Sequence, residues 1–178
     1  MDTLRIHDKQ FEPYLRAQEL QAAVQRLAAE IERDYADKRP LFIAILNGSF
    51  LFAADLFRQL RIPAEISFIK LASYKGTRST GHVITSIGLD DEVFDRDVII
   101  LEDIIDTGKT LHQFLPQLEH QQPRSLCICA LLHKQECTLY PVEISYLGFT
   151  IPDRFVVGYG LDYDGLGRNL PEIYQLQG

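Results

Sequence analysis

The 178-residue sequence lacks an apolar run of the roughly 18 residues that a membrane-spanning helix needs. Its first residues, Met1 to Arg5, contain no apolar core of a secretory signal. From these two absences we expect a cytoplasmic protein with no membrane partner.

Basic residues are also few. The chain has 18 lysines and arginines against 25 aspartates and glutamates, which gives a formal net charge of −7. Domains that bind nucleic acid usually carry a basic surface, so this balance argues against nucleic acid as the main partner. A local basic loop remains compatible with phosphate binding.

Cysteine is scarce, with three residues in the whole chain. Cys127 and Cys129 alternate within an apolar run, which places both on one face of a predicted strand. Together with His133 and Cys137 they match no usual spacing of zinc ligands. We therefore expect reduced cysteines that pack inside the protein.

No internal repeat or long linker interrupts the chain, so we expect one domain over residues 1–178. Continuous apolar runs predict buried strands, and apolar residues spaced three and four apart predict amphipathic helices. The strands are expected near residues 41–46, 65–71, 82–88, 98–101, 125–132 and 155–157, and the helices near 20–31, 50–60 and 111–118. This alternation indicates an α/β fold with a mainly parallel central sheet flanked by helices, and such sheets bind ligands at the carboxyl ends of their strands.

The most informative segment begins with the aliphatic run at residues 98–101. Glu102 and Asp103 follow directly, Asp106 lies three positions on, and a glycine turn at residues 107–110 leads into helical spacing. The N–H groups and dipole of a helix N-terminus bind phosphate, and carboxylates bind hydroxyl groups or a metal ion. The segment therefore predicts an anion site with acidic side chains beside it.

Spacing excludes two common phosphate motifs. A P-loop needs a glycine five positions before Gly108, where this chain has Asp103. A dinucleotide-binding fingerprint beginning at Gly158 and Gly160 needs a third glycine where Tyr163 stands.

The segment at residues 102–110 instead resembles the phosphoribosyl-diphosphate signature of type I phosphoribosyltransferases, and it is most similar to the hypoxanthine-guanine members of that family. Other motifs follow in the family's order: a pyrophosphate loop at residues 46–49, a flap at Ser73 and Tyr74, a purine-contact lysine at Lys134, a base-stacking segment at 155–159 and a C-terminal segment at 161–170. The resemblance implies the family's fold, with a small hood built mainly from residues 153–178 and the N-terminal residues.

The resemblance also implies a site for phosphoribosyl diphosphate. Glu102 and Asp103 are expected to bind the ribose hydroxyls, directly or beside a magnesium ion. The implied phosphate and pyrophosphate contacts are Asp106, Thr107, Gly108, Lys109 and Thr110 for the 5′-phosphate, and Asn47, Gly48 and Arg168 for the pyrophosphate. Simple helix capping is the alternative role for Thr107 and for Asp106. Asp162 is implied as a ligand of a second magnesium ion, with a plain turn residue as its alternative.

A purine site is implied by the C-terminal third of the chain. Lys134 is expected to donate to the purine O6 and so to select oxopurines over adenine. Phe155 is expected to stack on the base, and the backbone around Val156 and Asp162 to read its Watson–Crick edge. Ser73 and Tyr74 would close over the site as a flap.

The activity implied is purine salvage, the magnesium-dependent transfer of a 5-phosphoribosyl group from phosphoribosyl diphosphate to N9 of hypoxanthine or guanine. The products would be IMP or GMP and pyrophosphate. A xanthine-preferring enzyme and a non-catalytic sensor of phosphoribosyl diphosphate or nucleotide remain alternatives. The resemblance further implies a homodimer or homotetramer. The chain departs from the family pattern at Gly160, which replaces an alanine, at Asn47, which replaces a common lysine, and at residues 164–167, which are unusually rich in glycine.

Asp106 is the candidate for proton exchange with purine N7, because a carboxylate that shares a closed site with the base can act as general base. We therefore expect Asp106→Asn to lower turnover strongly while the fold and the binding of phosphoribosyl diphosphate stay largely intact. Steady-state kinetics and a binding titration would check this. Turnover near that of the wild type would remove Asp106 from the chemistry.

Overall fold

The computed structural model describes residues 3–73, 83–87 and 93–178. Ten strands and three α-helices are present in these ranges. In chain order they are β1 (Leu4–Ile6), β2 (Lys9–Leu15), α1 (Ala17–Asp34), β3 (Leu41–Leu46), α2 (Phe50–Gln59), β4 (Glu65–Ser73), β5 (Val83–Ile87), β6 (Asp97–Ile105), α3 (Lys109–Glu119), β7 (Ser125–His133), β8 (Tyr146–Thr150), β9 (Val156–Val157) and β10 (Ile173–Leu176).

The central sheet has six strands in the order β5-β4-β3-β6-β7-β8. Five of them are parallel, and β5 pairs with β4 in the antiparallel direction. The predicted α/β fold with a mainly parallel sheet is confirmed. The strand β8 was not predicted, and it forms the edge of the sheet beside β7.

Helices cover both faces of this sheet because its inner strands are apolar on both sides. Alternate residues of a strand point to opposite faces. The residues Phe42, Ala44, Ile99 and Leu101 pack with α1 and α2, whereas Leu41, Ile43, Val98 and Ile100 pack with α3. Two apolar layers therefore hold the sheet rigidly between helices.

A second, four-stranded sheet joins the two ends of the described chain in the order β1-β2-β10-β9. Its pairs are all antiparallel. Ile6, Phe11 and Val157 form its small apolar core. We call it the terminal sheet. None of the helices in the described part of the chain combines the length and apolar character of a membrane span.

The carboxyl ends of β6, β7 and β8 meet at one edge of the central sheet. Ile105 lies opposite His133, and His133 lies opposite Thr150. Two backbone hydrogen bonds continue this register past the strand ends, from Lys134 N to Ile105 O at 2.9 Å and from Ile151 N to His133 O at 2.9 Å. The segments that follow the three strands are thereby held side by side.

Candidate active site

The glycine turn after β6 presents the N-terminus of α3. Gly108 is the residue that begins the helix, with φ of 78°, and no side chain caps it. A Cβ atom at residue 108 would overlap Tyr140 O, so only glycine fits this close approach. The carbonyl oxygen of Thr107 accepts hydrogen bonds from the N–H groups of Leu139 at 3.1 Å and Tyr140 at 2.9 Å. The segment at Leu139 and Tyr140 therefore holds the turn in place.

This turn encloses a pocket of about 100 Å³, which we call the turn pocket. Its walls are formed by Glu102, Ile104, Ile105, Asp106, Thr107, Gly108, Lys109, Thr110 and Leu111. The first N–H groups of an α-helix have no carbonyl partner within the helix, and the helix dipole is positive at this end. The arrangement suits an anion. Because Gly108 is the capping residue, neither Asp106 nor Thr107 is the N-cap, although Thr107 Oγ1 accepts from Lys109 N at 3.3 Å.

A second pocket of about 210 Å³, the lysine pocket, lies beside the turn pocket. Its walls bring together eight residues predicted from the sequence, namely Gly48, Asp103, Asp106, Lys134, Phe155, Val156, Asp162 and Arg168. Ile104 and Leu161 complete the wall and were not predicted. Asp106 and Ile104 line both pockets. A single molecule with an anionic end and a flat polar end would therefore reach both pockets past Asp106.

Lys134 is a buried cation in the wall of the lysine pocket, with 7% of the residue exposed. Its Nζ donates to Asp106 Oδ2 at 3.1 Å and to Asp153 Oδ1 at 3.3 Å. Burial alone would lower the pKa of Lys134, but the hydrogen bonds and negative charges of Asp106 and Asp153 outweigh burial and raise it. The pocket therefore holds a permanent hydrogen-bond donor.

Phe155 forms an aromatic wall of the same pocket and keeps 45% of its surface exposed. Two rings support it, Tyr163 with its centroid 5.7 Å away in an edge-on arrangement and Phe11 at 6.3 Å. Phe11 comes from β2, so the N-terminal strands help to orient this side chain. A partly exposed ring on a supported wall is suited to stack on a planar ligand.

Glu102 and Asp103 are adjacent on β6 and face different pockets. Glu102 lines the turn pocket, and its Oε2 atom is buried without a hydrogen-bond partner among the described residues. Burial and the nearby charge of Asp103 raise the pKa of Glu102 well above its ordinary value. Asp103 lines the lysine pocket, and burial raises its pKa to about 6 against the opposing effects of the Ile104 N–H and Arg168.

These carboxylates fit the chemistry of a hard cation. The described ranges contain no ready cluster of three acidic, histidine or cysteine side chains around one point. Magnesium, however, is usually held by one or two carboxylates together with water and substrate phosphates. The unpartnered Oε2 of Glu102 and the buried Asp103 are oxygen ligands that would gain from positive charge.

Asp162 is already engaged by other groups. Arg168 pairs with its Oδ1 at 2.7 Å, and the Gly165 N–H donates to its Oδ2 at 2.8 Å. Arg168 also donates to Gly160 O at 2.7 Å. Two residues expected to bind ligand thus bind each other in the wall of the lysine pocket.

The loop after β3 touches the same region through its backbone. The peptide bond between Leu46 and Asn47 is cis. A Cβ at residue 48 would overlap the Asp103 carboxylate, and a Cβ at residue 160, where φ is +102°, would overlap Gly48 O. An alanine at position 160 would therefore require a shift of this backbone. The side chain of Asn47 is exposed and lines neither pocket.

The predicted flap begins where the described part of β4 ends, and one residue that contacts Lys134 was overlooked. Ser73 is the last residue of β4, and Tyr74 lies outside the described residues. Asp153, which binds Lys134, was not predicted. Asp153 lies two residues before Phe155, and this closeness in the sequence could have indicated that it belongs to the site.

The chain matches the family described as the phosphoribosyl transferase domain over residues 11–164. It is also similar to a hypoxanthine phosphoribosyltransferase of Buchnera aphidicola, with 45% identity over 158 residues that cover 87% of this chain and 89% of the relative. The chain belongs to the hypoxanthine-guanine phosphoribosyltransferases. The protein is therefore an enzyme of the transferase class, as the sequence predicted.

Two further similar proteins support the membership of this chain in the phosphoribosyltransferase family. A hypoxanthine-guanine-xanthine phosphoribosyltransferase of Tritrichomonas foetus is 40% identical over 156 residues, covering 87% of this chain and 85% of the relative. A crystal structure of a hypoxanthine-guanine phosphoribosyltransferase from Bacillus anthracis superposes with a TM-score of 0.87 at 38% identity, covering 94% of this chain and 97% of that one.

Because burial raises the pKa of Asp103, we expect the transferase to be less stable with a carboxylate at position 103 than with an amide there. The folded protein holds the Asp103 proton up to about pH 6, against an ordinary pKa of 3.8. Its contribution to the free energy of unfolding therefore falls as the pH rises between these two values, and the penalty persists above pH 6. We expect Asp103→Asn to raise the free energy of unfolding at pH 8 by up to about 3 kcal/mol, and to change it little at pH 4.

Chemical denaturation at the two pH values measures this difference. Asp95→Asn is the matched control, and it should change the free energy of unfolding in the opposite direction. Arg124 lowers the pKa of the exposed Asp95, so the carboxylate is favourable there. A free energy of unfolding for Asp103→Asn below that of the wild type at pH 8 would contradict the assignment of a buried, unfavourable charge.

Proposed function

We propose that the protein salvages purines by magnesium-dependent transfer of the 5-phosphoribosyl group from phosphoribosyl diphosphate to N9 of hypoxanthine and guanine. IMP or GMP and pyrophosphate are the products. The observation that carries this proposal is the junction of the two pockets at Asp106, with the N-terminus of α3 on one side and a buried lysine beside an aromatic wall on the other.

The donor would lie with its 5′-phosphate in the turn pocket, against the N–H groups and hydroxyls of residues 106–110. Its ribose hydroxyls would hydrogen-bond to Glu102 and Asp103. Gly48 and Arg168 line the lysine pocket together with Asp103, and there they would meet the pyrophosphate. The exposed Asn47 would contribute its backbone there rather than its side chain.

Magnesium, when bound, would supply positive charge against the leaving pyrophosphate. Glu102 and Asp103 would hold it, and burial of their carboxylates is the reason that they would favour a cation. Asp162 is the proposed ligand of a second ion, and that role requires it to release Arg168 or Gly165.

The acceptor base would occupy the lysine pocket. Lys134 would donate to O6, a contact that hypoxanthine, guanine and xanthine offer and that the amino group of adenine does not. Phe155 would stack on the ring, and the backbone near Val156 and Asp162 would hydrogen-bond to the Watson–Crick edge. A base that presents an amino group to Lys134 would leave two donors facing each other without an acceptor, and the loss of their hydrogen bonds to water would weaken its binding.

The reaction at C1′ requires one bond to form and one to break. The N9–C1′ bond forms while the bond from C1′ to the pyrophosphate oxygen breaks, and the pyrophosphate leaves with that electron pair. The N7 proton of the base passes to a carboxylate, and Asp106 is the acid that both pockets share. Its ion pair with Lys134 sets its position before the base enters.

The remaining assignments are extensions of the same proposal. The terminal sheet and residues 153–178 would act as the hood of a single domain over residues 1–178, and Ser73 and Tyr74 would belong to a flap that excludes water. A cytoplasmic homodimer or homotetramer would be the working form.

A substrate panel tests the proposed activity. The protein is incubated with magnesium, phosphoribosyl diphosphate and one of hypoxanthine, guanine, xanthine or adenine, and nucleotide formation is followed. We expect IMP and GMP, no product from adenine, and loss of activity on chelation of magnesium with recovery when it is added back. Fastest turnover of xanthine would favour the xanthine-preferring alternative. Absence of product from every oxopurine would overturn the enzyme assignment and leave a sensor.

A further inference from the structure

Asp153 contacts the buried Lys134 from the segment that follows the edge strand β8. It lies three positions after β8, in a segment that Ile151 anchors to the end of β7 through the hydrogen bond to His133 O. Its Oδ1 accepts from Lys134 Nζ at 3.3 Å, while 70% of its side chain is exposed. An exposed acid is thus held against a buried ammonium.

The hydrogen-bond donors of Lys134 indicate what the contact with Asp153 does. An ammonium group has three N–H donors. Asp106 and Asp153 each accept one, and within the described part of the chain the third has no acceptor. We propose that Asp153 is a positioning residue, which orients the Lys134 ammonium so that its remaining donor meets O6 of an oxopurine.

The charge balance during the reaction supports the same role. This step rests on the proposed function, in which Asp106 takes the N7 proton. A protonated Asp106 no longer balances the charge of Lys134, which is 7% exposed. A buried ammonium without a counter-charge is strongly unfavourable. Asp153 supplies the remaining negative charge while Asp106 is protonated.

Neighbouring groups keep Asp153 ionised and oriented. The hydrogen bond from Lys134, followed by one from the Cys137 thiol, holds the pKa of Asp153 below its ordinary value. Cys137 belongs to the turn that begins at Lys134, because its N–H donates to Lys134 O at 3.0 Å. The lysine and the acid that orients it are therefore linked through one short turn.

Calorimetric titration with two nucleotides tests the proposal. IMP carries O6, whereas purine ribonucleoside 5′-monophosphate has hydrogen at C6 and cannot accept from Lys134. We expect Asp153→Asn to weaken IMP binding about tenfold and to change binding of the second nucleotide by less than about twofold. In steady-state assays the KM for hypoxanthine should rise, and the KM for phosphoribosyl diphosphate should stay unchanged.

Two controls separate positioning from a general structural effect. Glu136→Gln removes an exposed carboxylate from the same turn, one that forms no ion pair with Lys134, and should leave both nucleotides unaffected. In a Lys134→Met background, Asp153→Asn should cause no further loss of IMP affinity.

Equal weakening of both nucleotides, or a loss that persists in the Lys134→Met background, would overturn the positioning role. Unchanged IMP binding by Asp153→Asn in an enzyme whose wild type forms IMP would overturn this inference alone. A wild type that forms no nucleotide from any oxopurine would overturn the proposed function, and this inference with it.

Discussion

Parallel pairing of β6, β7 and β8 brings three strand ends to one edge of the sheet, with Ile105 opposite His133 and His133 opposite Thr150. Each strand delivers one charged residue just beyond that edge, and the ion pairs of Lys134 with Asp106 and Asp153 join them. The turn pocket and the lysine pocket meet at this point. A shift of register by one residue would turn the side chains to opposite faces and separate the two pockets.

Two carboxylates near this edge, Glu102 and Asp103, are unfavourable as charged groups, and the packing of the sheet supports them. Glu102 has a buried oxygen without a partner among the described residues, and Asp103 has a pKa raised to about 6 by burial. The apolar layers on both faces of the sheet hold these carboxylates in place. We therefore expect the unliganded enzyme to be less stable than its Asp103→Asn variant, while its charges suit a ligand with hydroxyl and phosphate groups.

Sequence reasoning worked where local patterns are strong. The apolar runs of β3, β6 and β7 are long enough to predict buried strands, and the order of acids before Gly108 indicates an anion turn. The edge strand β8 is short and only partly buried, so its pattern is weak, and Asp153 was overlooked with it. The pairing of Lys134 with Asp106 spans 28 residues and depends on strand register. The pairing of Asp162 with Arg168 depends on a loop geometry built on several glycines with positive φ. Neither contact is encoded in a local pattern.

The most direct test of a site shared between two pockets is a crystal structure of the wild-type enzyme with IMP, because one ligand must then span both. We expect the 5′-phosphate against residues 107–110 and the hypoxanthine ring beside Phe155. Lys134 Nζ should lie about 3 Å from O6 while it keeps its contact with Asp153. A base that binds outside the lysine pocket, or a phosphate that binds away from the α3 N-terminus, would contradict the assignment of donor and acceptor to these pockets.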